Sequence, residues 1–180
     1  RAFILGEIIR LCGTVRPVIV SPSASGAYTL PFLMQRPGEV GGFLAVATVS
    51  LWGVDQAVTL RDTEKMIEFI KAKVHMLPEK GVEIPMKVLI GEKSVNTPLS
   101  NLMRSLAAGF PISEVVVVKG HVGDEPYEQF PKAFNDQLVR LSALAMLSNG
   151  RAGGIVRTTL RKKNEMMDAL RAQDATLGEA

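Results

Sequence analysis

Long hydrophobic runs, cysteine and an excess of one charge are all scarce in this sequence, and each scarcity excludes a class of protein. Apolar runs such as 42–47 and 115–118 are bounded by glycine or charge. They fall far short of the roughly 20 residues that a membrane-spanning helix needs. The single cysteine, Cys12, excludes an internal disulfide, and its place on a helical pattern predicts a small buried apolar group. With no targeting pattern, we predict an intracellular protein, cytoplasmic or organellar, without a transmembrane segment.

The weak net charge of +3 argues against a nucleic-acid partner. Most of the excess lies in residues 151–180, which contain six basic and four acidic side chains and no aromatic residue. We interpret the basic run 161–163 as a solvated surface, with a docking tail for an acidic partner or a lipid surface as the alternative. His75 has no second histidine or cysteine at ligand spacing, so we predict no metal site and no cofactor.

Helical and strand patterns alternate along the chain in the order α-β-α-β-α-β-α-β-α. The four predicted strands are short, continuously apolar runs at 17–20, 43–49, 86–90 and 114–118. Continuous apolar strands are typical of a parallel sheet covered on both faces, so the predicted class is α/β, mostly parallel, with helices on both faces. We assign residues 1–147 to this domain and 148–180 to a linker and a basic helical extension.

The helical patterns also predict which faces turn inward. The first helix, 2–12, should bury the apolar residues that recur at helical spacing, namely Ile4, Ile8, Leu11 and Cys12. A later helix should begin near Asp62 with a capped start and bury a stripe that includes Ile67 and Ile70. The last helix should bury Phe134, Leu138, Leu141 and Met146.

A turn of small residues joins the first predicted strand to the next helix, at 21–26 (Ser-Pro-Ser-Ala-Ser-Gly). Strand and helix approach closely at such a turn, so the neighbours at Ser21 and Ser25 must be small. The turn points the Ser23 hydroxyl out of the sheet edge and sets the backbone N–H of Ala24 at the helix N-terminus, where it can hold an oxyanion. The pattern predicts a nucleophile at Ser23, with packing alone as the alternative.

These residues resemble the α/β-hydrolase domain-containing protein 14 family. The resemblance covers about residues 1–147 and is strongest over 17–47; Lys119-Gly120-His121 resembles that family's histidine loop. It implies an α/β-hydrolase fold with a Ser–His–Asp triad in small intracellular proteins. The implied activity is on small esters or acyl groups, including removal of acetyl groups from lysine with coenzyme A as acceptor. Ser23 matches the nucleophile of that family.

The acid and base positions depart from that family's pattern. The third strand ends Gly-Glu-Lys-Ser at 91–94, where the family has Gly-Asp-x-Asp, so Ser94 stands at the position of the acid. Glu92, two residues earlier, is the remaining candidate for the acid, although a loop carboxylate is more commonly an ordinary solvated group. His121 is the candidate base, three positions before the family's histidine, where this sequence has Asp124.

The resemblance also implies that strands precede the helix with which this chain begins. We therefore expect a fragment or a processed chain, with N-terminal strands missing or supplied elsewhere. An unpaired sheet edge needs a cover, and the expected cover is a protein partner that completes the edge.

Two functions fit these observations. The altered acid and base positions favour a pseudoenzyme, a hydrolase-like domain with impaired or lost catalysis that acts as a structural or interaction subunit of a larger assembly. The intact turn favours an active serine hydrolase or acyltransferase for small esters or acyl groups. In that case Ser23 attacks the carbonyl, His121 moves the proton and the Ala24 N–H holds the oxyanion.

Overall fold

Ten helices and strands follow one another in the part of the chain that this computed structural model describes, residues 1–48, 56–77, 83–120 and 126–148. The strands are β1 (Val18–Pro22), β2 (Gly42–Val46), β3 (Met86–Gly91) and β4 (Ser113–Val118). The helices are α1 (Ala2–Leu11), α2 (Gly26–Gln35), α3 (Gln56–Val74), α4 (Pro98–Ala108), α5 (Pro126–Gln129) and α6 (Pro131–Ser148). The predicted alternation is confirmed, with the short α5 added. Residues 149–180, the predicted linker and extension, lie outside the described ranges.

The four strands pair in parallel in the order β1-β2-β3-β4, so that each strand lies beside the next one along the chain. Alternate residues of β2 face opposite layers: Phe43 and Ala45 join a large core with α2, α3 and α4, whereas Leu44 and Val46 pack with Leu141 of α6. The predicted class, a parallel sheet with helices on both faces, is confirmed. No helix in the described ranges is long and apolar enough to cross a bilayer.

The predicted inward face of α1 was wrong. The three large apolar residues expected inside are 52%, 51% and 74% exposed: Ile4, Ile8 and Leu11. Cys12, predicted as a buried group, is exposed as well. The buried positions of α1 are Ala2 and Gly6, and a Cβ at Gly6 would lie 3.2 Å from Arg36 Nη1. The inward face of α1 combines these two small residues with Leu5 and Ile9, which pack against the core.

Two further helix predictions need correction. α3 already includes Gln56, so Asp62 does not begin it, and Thr63 is a buried interior residue whose hydroxyl donates to the Thr59 carbonyl oxygen at 2.7 Å. The predicted stripe on α3 is buried, Ile67 and Ile70 included. On α6, Leu141 and Ala145 are buried, one turn apart on the face that meets the sheet. Met146 lies off that face and is 53% exposed, so its predicted burial was wrong.

A buried lysine, Lys87, ties the sheet to α6. Its side chain is only 3% exposed near the start of β3, and its ammonium contacts the carboxylate of Glu114, its partner in the β3–β4 register. The same ammonium donates to Gln137 Oε1 of α6 at 2.9 Å. Since a buried ammonium needs hydrogen-bond acceptors, these two contacts explain how Lys87 is tolerated in an otherwise apolar strand.

Candidate functional site

The carboxyl ends of the four parallel strands meet at one edge of the sheet. In register, Pro22 lies beside Val46, and Gly91 beside Val118. The residues that follow these strands therefore share that edge, which is where open α/β sheets bind their ligands.

Ser23 lies in the turn between β1 and α2 in an unusual backbone conformation. Residues 23–25 form a single 3₁₀ turn before α2 begins at Gly26. Ser23 is exposed and has a φ of +41°, in the left-handed region that side chains with a Cβ disfavour. Such a residue costs on the order of 1–3 kcal/mol and persists only where its surroundings hold it, most often at functional sites. The nucleophilic role of Ser23 stays a prediction that this geometry permits.

Buried hydroxyl groups support the turn from below. The Ser21 hydroxyl, fully buried, lies 2.5 Å from the Thr29 hydroxyl of α2 and 3.4 Å from that of Ser25. Thr29 also donates to the Ser25 carbonyl oxygen at 3.2 Å. Sequence reasoning identified Ser21 and Ser25 by their small size. It missed Thr29, because nothing in the neighbouring sequence indicates that this helix residue contacts the strand.

Ala24, the predicted oxyanion donor, is half-buried in the 3₁₀ turn that leads into α2. The first N–H groups of a helix have no partner within the helix and point towards its N-terminal end. The structure therefore places the Ala24 N–H at the same end of α2 as Ser23, and its role as an oxyanion donor stays a prediction.

A second left-handed residue follows the neighbouring strand β2. Ala47 has a φ of +48°, and Thr48 behind it is completely buried. The Thr48 hydroxyl donates to the Ser21 carbonyl oxygen at 2.5 Å and accepts the N–H of Val46 at 3.2 Å. Sequence reasoning missed this contact, which joins the ends of β1 and β2 directly beneath the Ser23 turn.

Two candidate residues follow β3, one buried (Ser94) and one exposed (Glu92). Ser94, which the resemblance places where the acid is expected, is buried, and its carbonyl oxygen accepts the hydroxyls of Thr97, at 2.9 Å, and Ser100. Glu92 is exposed, and its Oε2 accepts the backbone N–H of Gly120 at 3.1 Å. This carboxylate therefore anchors the segment that follows β4, immediately before the predicted base.

The predicted base, His121, lies outside the described residues, as does Asp124. Gly120, which leads into that segment, has a φ of +103°, and a Cβ there would lie 2.8 Å from the Phe130 ring. The positive φ favours glycine at this position, and any larger residue would also have to displace the Phe130 ring.

A small cavity of about 10 Å³, enough for about one water molecule, lies beside Ser94. Ala47 and Gly91 line it from the strand ends and Met103 from α4. Within the described ranges, no three histidine, cysteine, aspartate or glutamate side chains come together as metal ligands would.

Comparison with known proteins gives one sequence relative and several solved structures. No family model matches the chain. Over 54 residues, 30% of this chain, the sequence is 37% identical to Protein ABHD14A of Danio rerio. That match spans 20% of the length of the zebrafish protein.

The similar solved structures agree in architecture at low sequence identity. They include the predicted CIB-like hydrolase of Thermoplasma acidophilum, with a TM-score of 0.52 and 22% identity over 82% of this chain and 58% of that one. MenH of S. aureus gives a TM-score of 0.55 and 9% identity over 81% and 74% of the two chains. Naproxen esterase of Bacillus subtilis gives a TM-score of 0.50 and 13% identity, over 76% of this chain and 63% of the esterase. This chain thus spans 58% to 74% of these three proteins.

Proposed function

We propose that this chain, which has the α/β-hydrolase fold and a stretch similar to ABHD14A, is a serine-hydrolase-like domain with impaired catalysis that acts as a structural or interaction subunit. The observation that carries the proposal is Ser94: an uncharged, buried side chain lies three residues after β3, where the resemblance implies an acid. Ser23 meanwhile keeps the exposed, left-handed geometry of a presented nucleophile.

Loss of the acid weakens turnover without removing the nucleophile. In a serine hydrolase the acid holds the imidazole in the correct tautomer and stabilises the imidazolium that forms as the serine attacks. A hydroxyl group offers a hydrogen bond and no charge, and a neutral replacement of the acid costs about 10⁴ in kcat. A domain with Ser23 and Ser94 is therefore expected to acylate slowly.

An active serine hydrolase for small esters or acyl groups is the second candidate, and Glu92 favours it. Its carboxylate accepts the N–H of Gly120, one residue before His121, so a negative charge lies at the base of the histidine segment. In this candidate Ser23 attacks the acyl carbonyl, His121 takes its proton and returns it to the leaving group, and the Ala24 N–H binds the oxyanion.

A fluorophosphonate probe tests the nucleophile. Wild-type protein is expected to label slowly at one site, and Ser23→Ala is expected to lose all of that labelling, because Ser23 is the one serine in the described ranges with a left-handed backbone, and it is exposed. Intact-mass and peptide mass spectrometry measure the adduct over hours. Ser25→Ala, two residues away, is the matched control and should still label. Equal labelling of Ser23→Ala and wild type would show that the nucleophile has been misassigned.

The subunit role rests on two separate features, an open sheet edge and exposed apolar residues of α1 and the segment after it. Among the described strands, β1 pairs with β2 alone. On α1 and the segment after it, exposed large apolar residues form a patch: Phe3, Ile4, Ile8, Leu11 and Val15. We propose that a protein partner adds a strand beside β1 and covers this patch.

A lysine on this patch tests the surface. Ile8→Lys is expected to reduce self-association of the isolated chain and to leave its thermal unfolding midpoint nearly unchanged, since Ile8 is 51% exposed and exposed apolar patches drive association. Light scattering coupled to size-exclusion chromatography measures the mass. The neighbouring Ile9 packs against the core, so Ile9→Lys is the matched control and should destabilise the fold. Unfolding by Ile8→Lys would mean that the chain itself covers this surface.

A further inference from the structure

We infer that Thr48 is a positioning residue for Ser23, an inference that rests on the proposed role of Ser23 as nucleophile. Thr48 lies just after β2, is completely buried and touches the segment before Ser23 through its hydroxyl group. That hydroxyl uses both of its hydrogen-bonding functions, donating to the Ser21 carbonyl oxygen at 2.5 Å and accepting the Val46 N–H at 3.2 Å.

The left-handed turn at Ala47 explains why Thr48 reaches β1. The β1–β2 pairing ends where Pro22 lies beside Val46, and proline has no N–H with which to continue the ladder. With a φ of +48°, Ala47 changes the direction of the backbone, and the Thr48 side chain then meets the Ser21 carbonyl. A side-chain hydrogen bond thus holds the end of β1 where the backbone ladder stops.

Ser21 is held from two sides, two residues before the nucleophile. Thr48 binds its carbonyl oxygen from the β2 side, and Thr29 of α2 contacts its hydroxyl at 2.5 Å. These anchors fix the start of the turn in which Ser23 has its disfavoured φ of +41°. If the Thr48 anchor is lost, the turn can relax and move the Ser23 hydroxyl, and a shift of about 1 Å at a reacting atom can cost about 100-fold in rate.

The test compares two replacements of Thr48. Thr48→Val keeps the shape and removes the hydroxyl, whereas Thr48→Ser keeps the hydroxyl. We expect Thr48→Val to slow fluorophosphonate labelling of Ser23 by about 10- to 100-fold and to speed amide hydrogen exchange in residues 21–27. Thr48→Ser should stay within about threefold of wild type on both measures, because the hydrogen bond to Ser21 is retained.

Thr63→Val is the matched control for a purely structural effect. Thr63 is another completely buried threonine whose hydroxyl donates to a carbonyl, but it lies on α3. Thr63→Val should lower the free energy of unfolding and leave the labelling of Ser23 and the amide hydrogen exchange of residues 21–27 unchanged. If Thr48→Val does not fold, Thr48→Ala, which also lacks the hydroxyl, takes its place.

The outcomes separate this inference from the proposed function. Wild-type-like labelling of Thr48→Val, equal slowing by Thr48→Ser, or equal slowing by Thr63→Val each overturns the positioning role. If the wild type does not label at all, the nucleophile proposal fails by itself. Amide hydrogen exchange then tests whether Thr48 holds the turn. Faster exchange at 21–27 in Thr48→Val alone supports the anchor, and unchanged exchange overturns it.

Discussion

Ser94→Asp is expected to raise the rate of ester hydrolysis by about 100-fold, because under the proposed function it supplies the missing negative charge of the acid while Ser23 serves as nucleophile. The acid of a complete triad is worth about 10⁴ in kcat, and a newly introduced carboxylate with imperfect geometry should recover part of that. Initial rates of p-nitrophenyl acetate hydrolysis measure the gain.

The surroundings of Ser94 make this substitution reasonable. The cavity of about 10 Å³ beside it offers part of the volume that the larger carboxylate needs. Burial of a carboxylate where the native side chain is only 7% exposed should also lower stability, by about 1–3 kcal/mol. Rates must therefore be measured well below the unfolding transition of the variant.

Two further variants make the result specific. Ser94→Asn, similar in shape and uncharged, should give no gain, and adding Ser23→Ala to Ser94→Asp should abolish it. The second candidate function predicts a different pattern: Glu92→Gln alone would remove a substantial wild-type rate, and Ser94→Asp would add nothing. That pattern would establish Glu92 as the acid and refute impaired catalysis.

Lys87→Ala is expected to destabilise the domain by about 2–3 kcal/mol, since it removes the buried methylene groups of a side chain that is 3% exposed and its hydrogen bond to Gln137. The ion pair itself should contribute little of this, because the Glu114 side chain is 56% exposed and remains hydrated. Urea unfolding followed by circular dichroism measures the change.

Lys87→Met separates packing from charge. It keeps most of the volume in an apolar layer and should cost less than about 1 kcal/mol, because methionine retains the buried packing and the Glu114 carboxylate, 56% exposed, stays hydrated without its partner. Lys93→Ala, at an exposed position beyond the same strand, should stay within about 0.5 kcal/mol of wild type. If Lys87→Met is as damaging as Lys87→Ala, the polar contacts to Glu114 and Gln137 matter more than packing.

The sequence located all four strands, because strands of a parallel sheet are short, largely apolar runs that can be recognised locally. The second was predicted too long, since β2 ends at Val46, and most residues of β4 are exposed or half-buried. Sequence reasoning misjudged α1, whose inward face combines the small residues Ala2 and Gly6 with Leu5 and Ile9. The apolar residues chosen from the pattern lie on another face of the same helix and are exposed. The start of α3 was predicted too late for a different reason, the residue type of Thr63. Thr63 suits a helix cap by residue type, yet here it donates to Thr59 inside the helix.

At the candidate site, too, features formed by neighbouring residues could be predicted, whereas contacts between distant residues could not. The turn at Ser23 could be predicted because the small residues that form it are adjacent in sequence. Thr48 could not, since its partner Ser21 is 27 positions away and a threonine after a strand is unremarkable in itself. The contact between Glu92 and Gly120 spans 28 positions and depends on the register of β3 with β4.

The order of the strands in the sheet has a consequence for how the chain folds during synthesis. Because β1 to β4 lie side by side in the order in which they are made, each new strand can dock on the edge left by the one before. No strand has to be inserted between two that are already paired. The sheet can therefore grow in one direction as the ribosome releases it, with α6 closing the second face last.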